Sequence, residues 1–310
     1  MQGLSRFIIR PFREAYDPVR DLGPKDFILQ GKVFTREDFT LRNSRGYRLE
    51  CSWFQPKFTE NSKLDCIIYC HGNCGSRCDS LEIANALLLH DISVFAFDFS
   101  GSGLSEGKFV SLGYYESWDL KCVVDYLRST NKVNSLGIWG RSMGASSAIL
   151  YASCDPYISL LVLDSPFVSL KKTSCDLVSS LKIFPESFFK SMFKYTRKII
   201  QATASFDIEE VTPVKYVSQC RMPAVFLHGR FDKLVSFSQG KELYDRYCGD
   251  KYLLELGGGH NSPRPPVIIE RVLDIILDIL HNPEEVLDDG MQTNRGVLPS
   301  ISKGFFFQRS

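Results

Sequence analysis

The sequence predicts an α/β protein built on a mostly parallel, doubly wound sheet. Between residues 66 and 256, short and continuous apolar runs alternate with helical patterns. Continuous apolarity indicates strands covered on both faces, and strand–helix alternation places helices on both sides of a parallel sheet. The predicted strands are CIIYC (66–70), ISVFAF (92–97), LGIW (136–139), LLVL (160–163), AVFLH (224–228) and YLLEL (252–256). The predicted helices cover approximately 78–90, 114–129, 142–153, 236–247 and 266–281.

Two further features precede this alternation. Residues 1–30 contain scattered prolines and mixed charge, which favours an extended N-terminal segment. Its FIIRPF stretch either packs on the protein body or contacts a membrane, and we expect packing. Segments 33–41 and 47–55 alternate apolar and polar residues around a turn at 43–46, a pattern typical of an antiparallel hairpin. We expect this hairpin to form one edge of the sheet.

The interval 166–222 is too long to be an ordinary loop between two strands. It is rich in Phe, Ser and Lys, and a small helical cap over the C-terminal edge of the sheet is the better interpretation. The main domain is therefore predicted to span 31–283, with this cap inserted. Residues 284–310 are mostly polar and are expected to form a tail.

Composition excludes several classes of protein, since the 310 residues are 44% apolar and 24% charged, as in ordinary globular proteins. With 37 Lys and Arg against 36 Asp and Glu, the chain lacks the basic surplus of a nucleic-acid-binding protein. The apolar runs are shorter than a transmembrane helix or a secretory signal requires. Ten cysteines in apolar segments are typical of reduced, mostly buried thiols, so we expect a cytoplasmic protein. Peripheral membrane contact and the oligomeric state are left open.

The most informative segment is SLGIWGRSMGASSA (135–148), which contains the pattern G-x-S-x-G between a predicted strand and a predicted helix. A strand that runs straight into a helix forces the central residue, Ser142, into a strained conformation, and the flanking glycines prevent side-chain collisions. The hydroxyl is then exposed at a helix N-terminus, where backbone N–H groups favour developing negative charge. We interpret Ser142 as a catalytic nucleophile.

A serine nucleophile needs a general base, and the chain contains five histidines. His260 follows a predicted strand and three glycines, so it projects from a flexible loop at the edge where ligands bind in open α/β sheets. We predict His260 as the base. Simpler structural positions explain the others: a helix end for His90 and His281, the core for His228 and a turn for His71.

The base in turn needs a carboxylate that fixes its tautomer and stabilises its charged form. Asp232 lies just past the strand AVFLH at the same edge of the sheet, and we favour it. Asp164, at the end of the preceding strand, is the alternative. Asp98 precedes the nucleophile and is expected to hold its own turn.

Acyl transfer also needs two backbone N–H donors that hold the oxyanion. One is expected from Met143, the residue after the nucleophile. The other is expected from the turn that follows the strand CIIYC, with the N–H of Asn73 as the predicted donor and that of Cys74 as the alternative.

No cofactor and no metal site are predicted. The cysteines at 66, 70, 74 and 78 fall in a strand, a turn and a helix start, and their spacing is not that of a zinc site. The glycines after ISVFAF lack the third glycine of the dinucleotide-binding pattern, since Glu106 stands in its place. Gly107 and Lys108 lack the remaining residues of a phosphate-binding loop.

Five motifs stand in the order found in the α/β-hydrolase superfamily, which this chain resembles: HGNCGSR (71–77), DFSGSGLSEG (98–107), GRSMGA (140–145), HGRFDKLV (228–235) and GGGHN (257–261). The resemblance is strongest to the intracellular serine-aminopeptidase-like branch, with the abhydrolase-domain palmitoyl-protein thioesterases nearby. It implies a Ser142–Asp232–His260 triad and hydrolysis of a carboxylic ester or thioester of a small or acylated substrate. The N-terminal cysteine cluster that anchors the thioesterases is missing, because the first cysteine here is Cys51.

Two other functions stay open at this point. One is a peptidase, although no acidic pair that would hold a substrate amine is recognisable. The other is a non-catalytic protein that binds a ligand within the same fold. Phenylalanines of the cap either line a site for an acyl chain or only bury the cap: Phe167, Phe184, Phe188, Phe189, Phe193 and Phe206.

Overall fold

The sheet confirms the predicted fold class. A computed structural model describes residues 8–57, 63–181 and 186–281, without the side chains of 177–181 and 186–190, and its nine strands form one sheet in the order β1-β2-β3-β5-β4-β6-β7-β8-β9. The strands are β1 (Asp26–Leu29), β2 (Lys32–Arg42), β3 (Arg48–Pro56), β4 (Leu64–Cys70), β5 (Ser93–Phe97), β6 (Val133–Arg141), β7 (Leu160–Asp164), β8 (Ala224–Gly229) and β9 (Lys251–Leu256). The helices are α1 (Pro18–Asp21), α2 (Leu81–Leu89), α3 (Tyr114–Ser129), α4 (Met143–Ala152), α5 (Leu170–Leu181), α6 (Glu186–Ala204), α7 (Phe237–Arg246) and α8 (Pro266–His281). The expected tail at 284–310 lies outside the described residues.

The continuous apolar runs are strands buried on both faces. In β4, Cys66, Ile68 and Cys70 belong to one hydrophobic cluster, whereas Ile67 and Tyr69 belong to another on the opposite face. Helices α3, α4 and α7 contribute to the first cluster, and α2 and α8 contribute to the second. The strands from β4 to β9 pair in parallel, so their carboxyl ends meet at one edge. None of the described helices is both long and apolar enough to cross a membrane.

The N-terminal hairpin lies at the opposite edge from β9, as predicted for an edge position. β2 and β3 pair antiparallel, and β3 then pairs antiparallel with β5. The sequence analysis missed β1, which extends this edge by pairing with β2. The turn between them consists of Gln30 and Gly31, both left-handed with φ of 46° and 81°, as a two-residue hairpin turn requires.

Two helices, α5 and α6, lie in the long interval between β7 and β8. Their apolar residues and those of neighbouring segments form a third cluster: Phe167, Leu170, Phe193, Ile200, Ala204, Phe206, Ile208, Val211 and Val235. Ile9 of the N-terminal segment is buried in this cap cluster, and its carbonyl accepts the N–H of Val110 at 2.9 Å. The N-terminal segment therefore packs on the body of the protein. Phe184 lies outside the described residues, as do the side chains of Phe188 and Phe189.

The ten cysteines are free thiols. Four of them are buried, at positions 51, 66, 70 and 220, so the expectation that most are buried is wrong. Five of the others lie in turns and helices, which present only one side to the core, and Cys248 follows α7. Cys74 and Cys248 are exposed.

We expect Ile9→Ala to destabilise the protein, because Ile9 is only 2% exposed and its truncation leaves a cavity in the cap cluster. The free energy of unfolding, measured by denaturant titration, should fall by about 2–5 kcal/mol. Phe12→Ala in the same segment is the control, since Phe12 is 77% exposed and its loss should change the value by about 0.5 kcal/mol or less. Equal losses in the two variants would contradict the docking of Ile9.

Candidate active site

Ser142 occupies a sharp turn between β6 and α4. Its φ of 52° is left-handed, as expected for the single residue that joins a strand directly to a helix. A Cβ on Gly140 would lie 2.5 Å from the Gly144 carbonyl oxygen, and a Cβ on Gly144 would lie 2.0 Å from the carbonyl oxygen of Cys70. Both positions therefore require glycine. The Ser142 N–H donates to the Asp164 carbonyl at 2.7 Å, which fixes the turn to the end of β7.

The predicted nucleophile, base and acid lie in hydrogen-bond contact. His260 Nε2 is 2.9 Å from Ser142 Oγ, and His260 Nδ1 is 2.6 Å from Asp232 Oδ2. An ionised carboxylate only accepts hydrogen bonds, so Nδ1 carries the proton and Nε2 is free to accept the serine proton. The Asp232 side chain is fully buried, and that of His260 is 10% exposed. This arrangement can deprotonate a serine hydroxyl.

Asp232 is held as a carboxylate by its surroundings. Burial raises its pKa, but the hydrogen bond and the electrostatic interaction with His260, together with two backbone N–H groups, lower it by more. The N–H groups of Leu234 and Val235 donate to its other oxygen at 2.9 Å and 2.8 Å and also lower the pKa. The pKa of Asp232 therefore lies below its usual range, and the group remains a hydrogen-bond acceptor at neutral pH.

Asp164, the alternative acid, has a different partner. Arg264 donates to both of its carboxylate oxygens, Nε at 2.7 Å and Nη2 at 2.5 Å. Sequence reasoning missed Arg264, because the two residues are 100 positions apart and no local pattern relates them. Asp98, as expected, holds a turn: its carboxylate accepts the N–H groups of Arg77 and Leu104.

The turn expected to supply an oxyanion donor lies beside the nucleophile. Gly75 N–H donates to the Gly72 carbonyl at 3.1 Å and closes this turn, in which Asn73 and Cys74 are the central residues. A Cβ on Gly72 would lie 3.9 Å from Ser142 Cβ. Among the described residues, no hydrogen bond uses the amide N–H of Asn73 or of Met143.

Two other histidines support the loops around the site. His71 Nε2 accepts the N–H of Phe99 at 3.1 Å, so its Nδ1 carries the proton and donates to the Gly72 carbonyl at 2.7 Å. His228 Nε2 donates to the Val235 carbonyl at 2.9 Å, and burial lowers the pKa of this imidazole. Within the described ranges, no group of three His, Cys, Asp or Glu side chains is arranged to hold a metal ion.

Comparison with known proteins shows which proteins this chain resembles. The model of a family described as "Serine aminopeptidase, S33" matches residues 62–212. The esterase Pf2001 of Pyrococcus furiosus superposes with a TM-score of 0.66 at 24% identity, covering 89% of this chain and 98% of the esterase. The chain has the α/β-hydrolase fold. The similarity to serine aminopeptidases, to an esterase and to a lipase supports hydrolase activity.

Two curated relatives align with most of this chain, but the share of their own length that aligns differs. The uncharacterized protein YqkD of Bacillus subtilis is 28% identical over 227 residues, which cover 72% of each chain. Lysophosphatidylserine lipase ABHD12 of Rattus norvegicus is 26% identical over 235 residues, which cover 72% of this chain but 54% of the lipase. This chain therefore spans about half the length of the lipase.

Replacement of Gly144 tests the nucleophile turn. Gly144→Ala should lower the free energy of unfolding by about 1–3 kcal/mol, because the added Cβ overlaps the Cys70 carbonyl oxygen and the backbone must shift. Gly72→Ala is the control, since its nearest neighbour would be the Arg141 carbonyl oxygen at 3.6 Å, an ordinary contact. Both values are measured by denaturant titration. Equal stability of the two variants would show that the turn does not need Gly144.

Proposed function

We propose that this hydrolase cleaves a carboxylic ester or thioester through an acyl-enzyme. In this proposal Ser142 is the nucleophile, His260 is the general base and Asp232 orients the imidazole. The observation that supports it is the line of contacts from Asp232 through His260 to Ser142, at 2.6 Å and 2.9 Å. The three residues come from loops at the ends of three different strands, yet their functional atoms converge.

The reaction proceeds in two halves. Ser142 Oγ attacks the substrate carbonyl carbon while its proton moves to His260 Nε2, and Asp232 stabilises the resulting imidazolium. The amides of Met143 and Asn73 hold the oxyanion, an effect worth about 10²–10³ in rate for each donor. His260 returns the proton to the leaving alcohol or thiol. It then deprotonates a water molecule, which hydrolyses the acyl-enzyme and restores the serine hydroxyl.

The proposed substrate class is inferred from the names of similar proteins and not from the residues of the cap. Pf2001 is named an esterase, and ABHD12 is named a lysophosphatidylserine lipase. Phe167, Phe193 and Phe206 are buried in the cap cluster, so they stabilise the cap rather than offer an open apolar wall. The proposed substrate is therefore a small acylated molecule whose acyl group these phenylalanines do not select.

A serine peptidase is the second candidate, because the matching family model is that of serine aminopeptidases. A substrate panel separates the two: acyl p-nitrophenyl esters and acyl thioesters against aminoacyl p-nitroanilides. Under the proposal, kcat/KM is larger for the esters and thioesters. A preference for the anilides would reassign the protein as a peptidase.

Ser142→Ala should abolish turnover of the best ester while the protein stays folded. We expect kcat to fall by about 10⁴–10⁶, because the variant keeps the oxyanion amides but has no nucleophile. A fluorophosphonate probe should label the wild-type protein at Ser142 and leave the variant unlabelled. An unreactive wild-type protein would instead indicate a non-catalytic, ligand-binding member of the fold.

Asp232→Asn should lower kcat by about 10⁴, because an amide in place of the carboxylate disfavours the required tautomer of His260. Asp164→Asn should lower kcat far less, since Asp164 contacts Arg264 and not the imidazole. The measurement is steady-state hydrolysis of the same ester by both variants. The reverse ranking would assign the acid to Asp164.

A further inference from the structure

A buried ion pair joins the segment after β9 to the end of β7. The side chains of Arg264 and Asp164 are 3% and 2% exposed, and their two hydrogen bonds form the bidentate fork typical of strong arginine–carboxylate pairs. Burial lowers the pKa of Arg264, but the hydrogen bonds and charge of Asp164 outweigh burial and raise it. The guanidinium of Arg264 therefore remains charged inside the protein.

Each partner of this pair also touches the main chain of a proposed catalytic residue. Arg264 Nη2 donates to the His260 carbonyl at 3.4 Å, and Nη1 donates to the Ser262 carbonyl at 2.8 Å. The carbonyl of Asp164 accepts the N–H of Ser142 at 2.7 Å. The ion pair thus links the backbone of the nucleophile to the backbone of the base.

A second guanidinium meets the same two carbonyls. Arg141 Nη2 lies 3.4 Å from the His260 carbonyl oxygen and 3.3 Å from that of Ser262. Arg141 Nη1 donates to Glu82, whose other oxygen accepts the Arg264 N–H at 2.9 Å. The loop that carries His260 is therefore held by two arginines, of which only Arg264 is fixed by a buried carboxylate.

This loop needs external support because it begins with three consecutive glycines. Glycine leaves the backbone free to adopt many conformations, and a Cβ on Gly257 would meet no atom within 4 Å. A general base must nevertheless stay within hydrogen-bond reach of the proton it accepts. A misplacement of about 1 Å at a catalytic group lowers the rate by about 10²-fold.

We propose that Arg264, held by Asp164, is a positioning residue. It fixes the His260 loop and so keeps the imidazole in hydrogen-bond contact with Asp232. It contacts no reacting atom and acts through the carbonyls of the loop. By donating to both oxygens of Asp164, it also gives the second buried carboxylate of this edge a partner other than the histidine. This inference rests on the proposed function of Ser142, His260 and Asp232.

The first experiment removes the ion pair without leaving a buried charge. Removal of one partner alone would leave an uncompensated charge and destabilise the fold, whereas removal of both is tolerated far better. The double variant Arg264→Met/Asp164→Asn should therefore keep a melting temperature close to that of the wild type. Its kcat on the best ester should fall by about 10²-fold with KM little changed, because the base is misplaced and the substrate contacts are not.

The matched control is Arg128→Met/Asp155→Asn. Arg128 also binds its carboxylate through two nitrogens, at 2.7 Å and 3.1 Å, but it lies at the end of α3, away from the site. Its double variant should keep the wild-type kcat. A double variant of Arg264 and Asp164 that keeps kcat within about twofold of the wild type would overturn the proposal, and so would an equal loss in the control.

Rescue distinguishes positioning from general destabilisation. Guanidinium ion at millimolar concentration should raise the kcat of Arg264→Ala, where Asp164 remains to bind it, and should leave the double variant unchanged. Absence of rescue in a folded Arg264→Ala protein would contradict the proposal.

A readout independent of turnover separates this inference from the proposed function. The Nδ1 proton between His260 and Asp232 should give a downfield proton NMR resonance in the wild type, assigned by its loss in Asp232→Asn. The resonance should shift or broaden in the double variant Arg264→Met/Asp164→Asn. An unchanged resonance there would overturn the positioning role even if no ester were hydrolysed, whereas failure of the wild-type protein to hydrolyse any substrate of the panel would count only against the proposed function.

Discussion

The whole site depends on the tight passage from β6 into α4, where Ser142 alone separates strand from helix. The passage is possible only because glycine stands at 140 and 144, since a Cβ at 144 would lie 2.0 Å from the Cys70 carbonyl oxygen. That close approach brings the end of β4 against the start of α4. It therefore sets the turn containing Asn73 beside Ser142, so the same contact accounts for the strain at Ser142 and for the position of the proposed oxyanion donors.

Two buried carboxylates, Asp232 and Asp164, lie at neighbouring strand ends but have different hydrogen-bond partners. Asp232 and Asp164 follow or end adjacent strands, and each must be paired because an isolated buried carboxylate is costly. Asp232 receives two backbone amides and an imidazole, whereas Asp164 receives a guanidinium. The arginine fork engages both oxygens of Asp164, whereas Asp232 contacts the imidazole, and this difference in partners supports the different roles proposed for the two carboxylates.

Much of the fold and of the candidate site was predictable because their signals are local. Continuous apolar runs identify strands covered on both faces, as Ile67 and Ile68 of β4 illustrate by packing into opposite clusters. The motifs around Ser142, Asp232 and His260 are likewise local, and their convergence follows from the common edge of a parallel sheet. β1 escaped prediction because its turn begins with Gln30, a residue seldom left-handed. Arg264 escaped because its role depends on a partner brought close only by the tertiary fold.

The N-terminal segment contains no recognised motif, yet its side chains contact residues near the candidate site. Tyr16 donates its hydroxyl to Asp98 at 2.7 Å and accepts a hydrogen bond from Arg77 Nε at 2.7 Å. Burial raises the pKa of the Tyr16 hydroxyl well above its usual value, so it stays a donor. Arg77 lies two residues after the turn that contains Asn73. Ile9 of the N-terminal segment is buried in the cap cluster. One segment therefore connects the cap cluster, through Ile9, with residues close to the turn beside Ser142, through Tyr16 and Arg77.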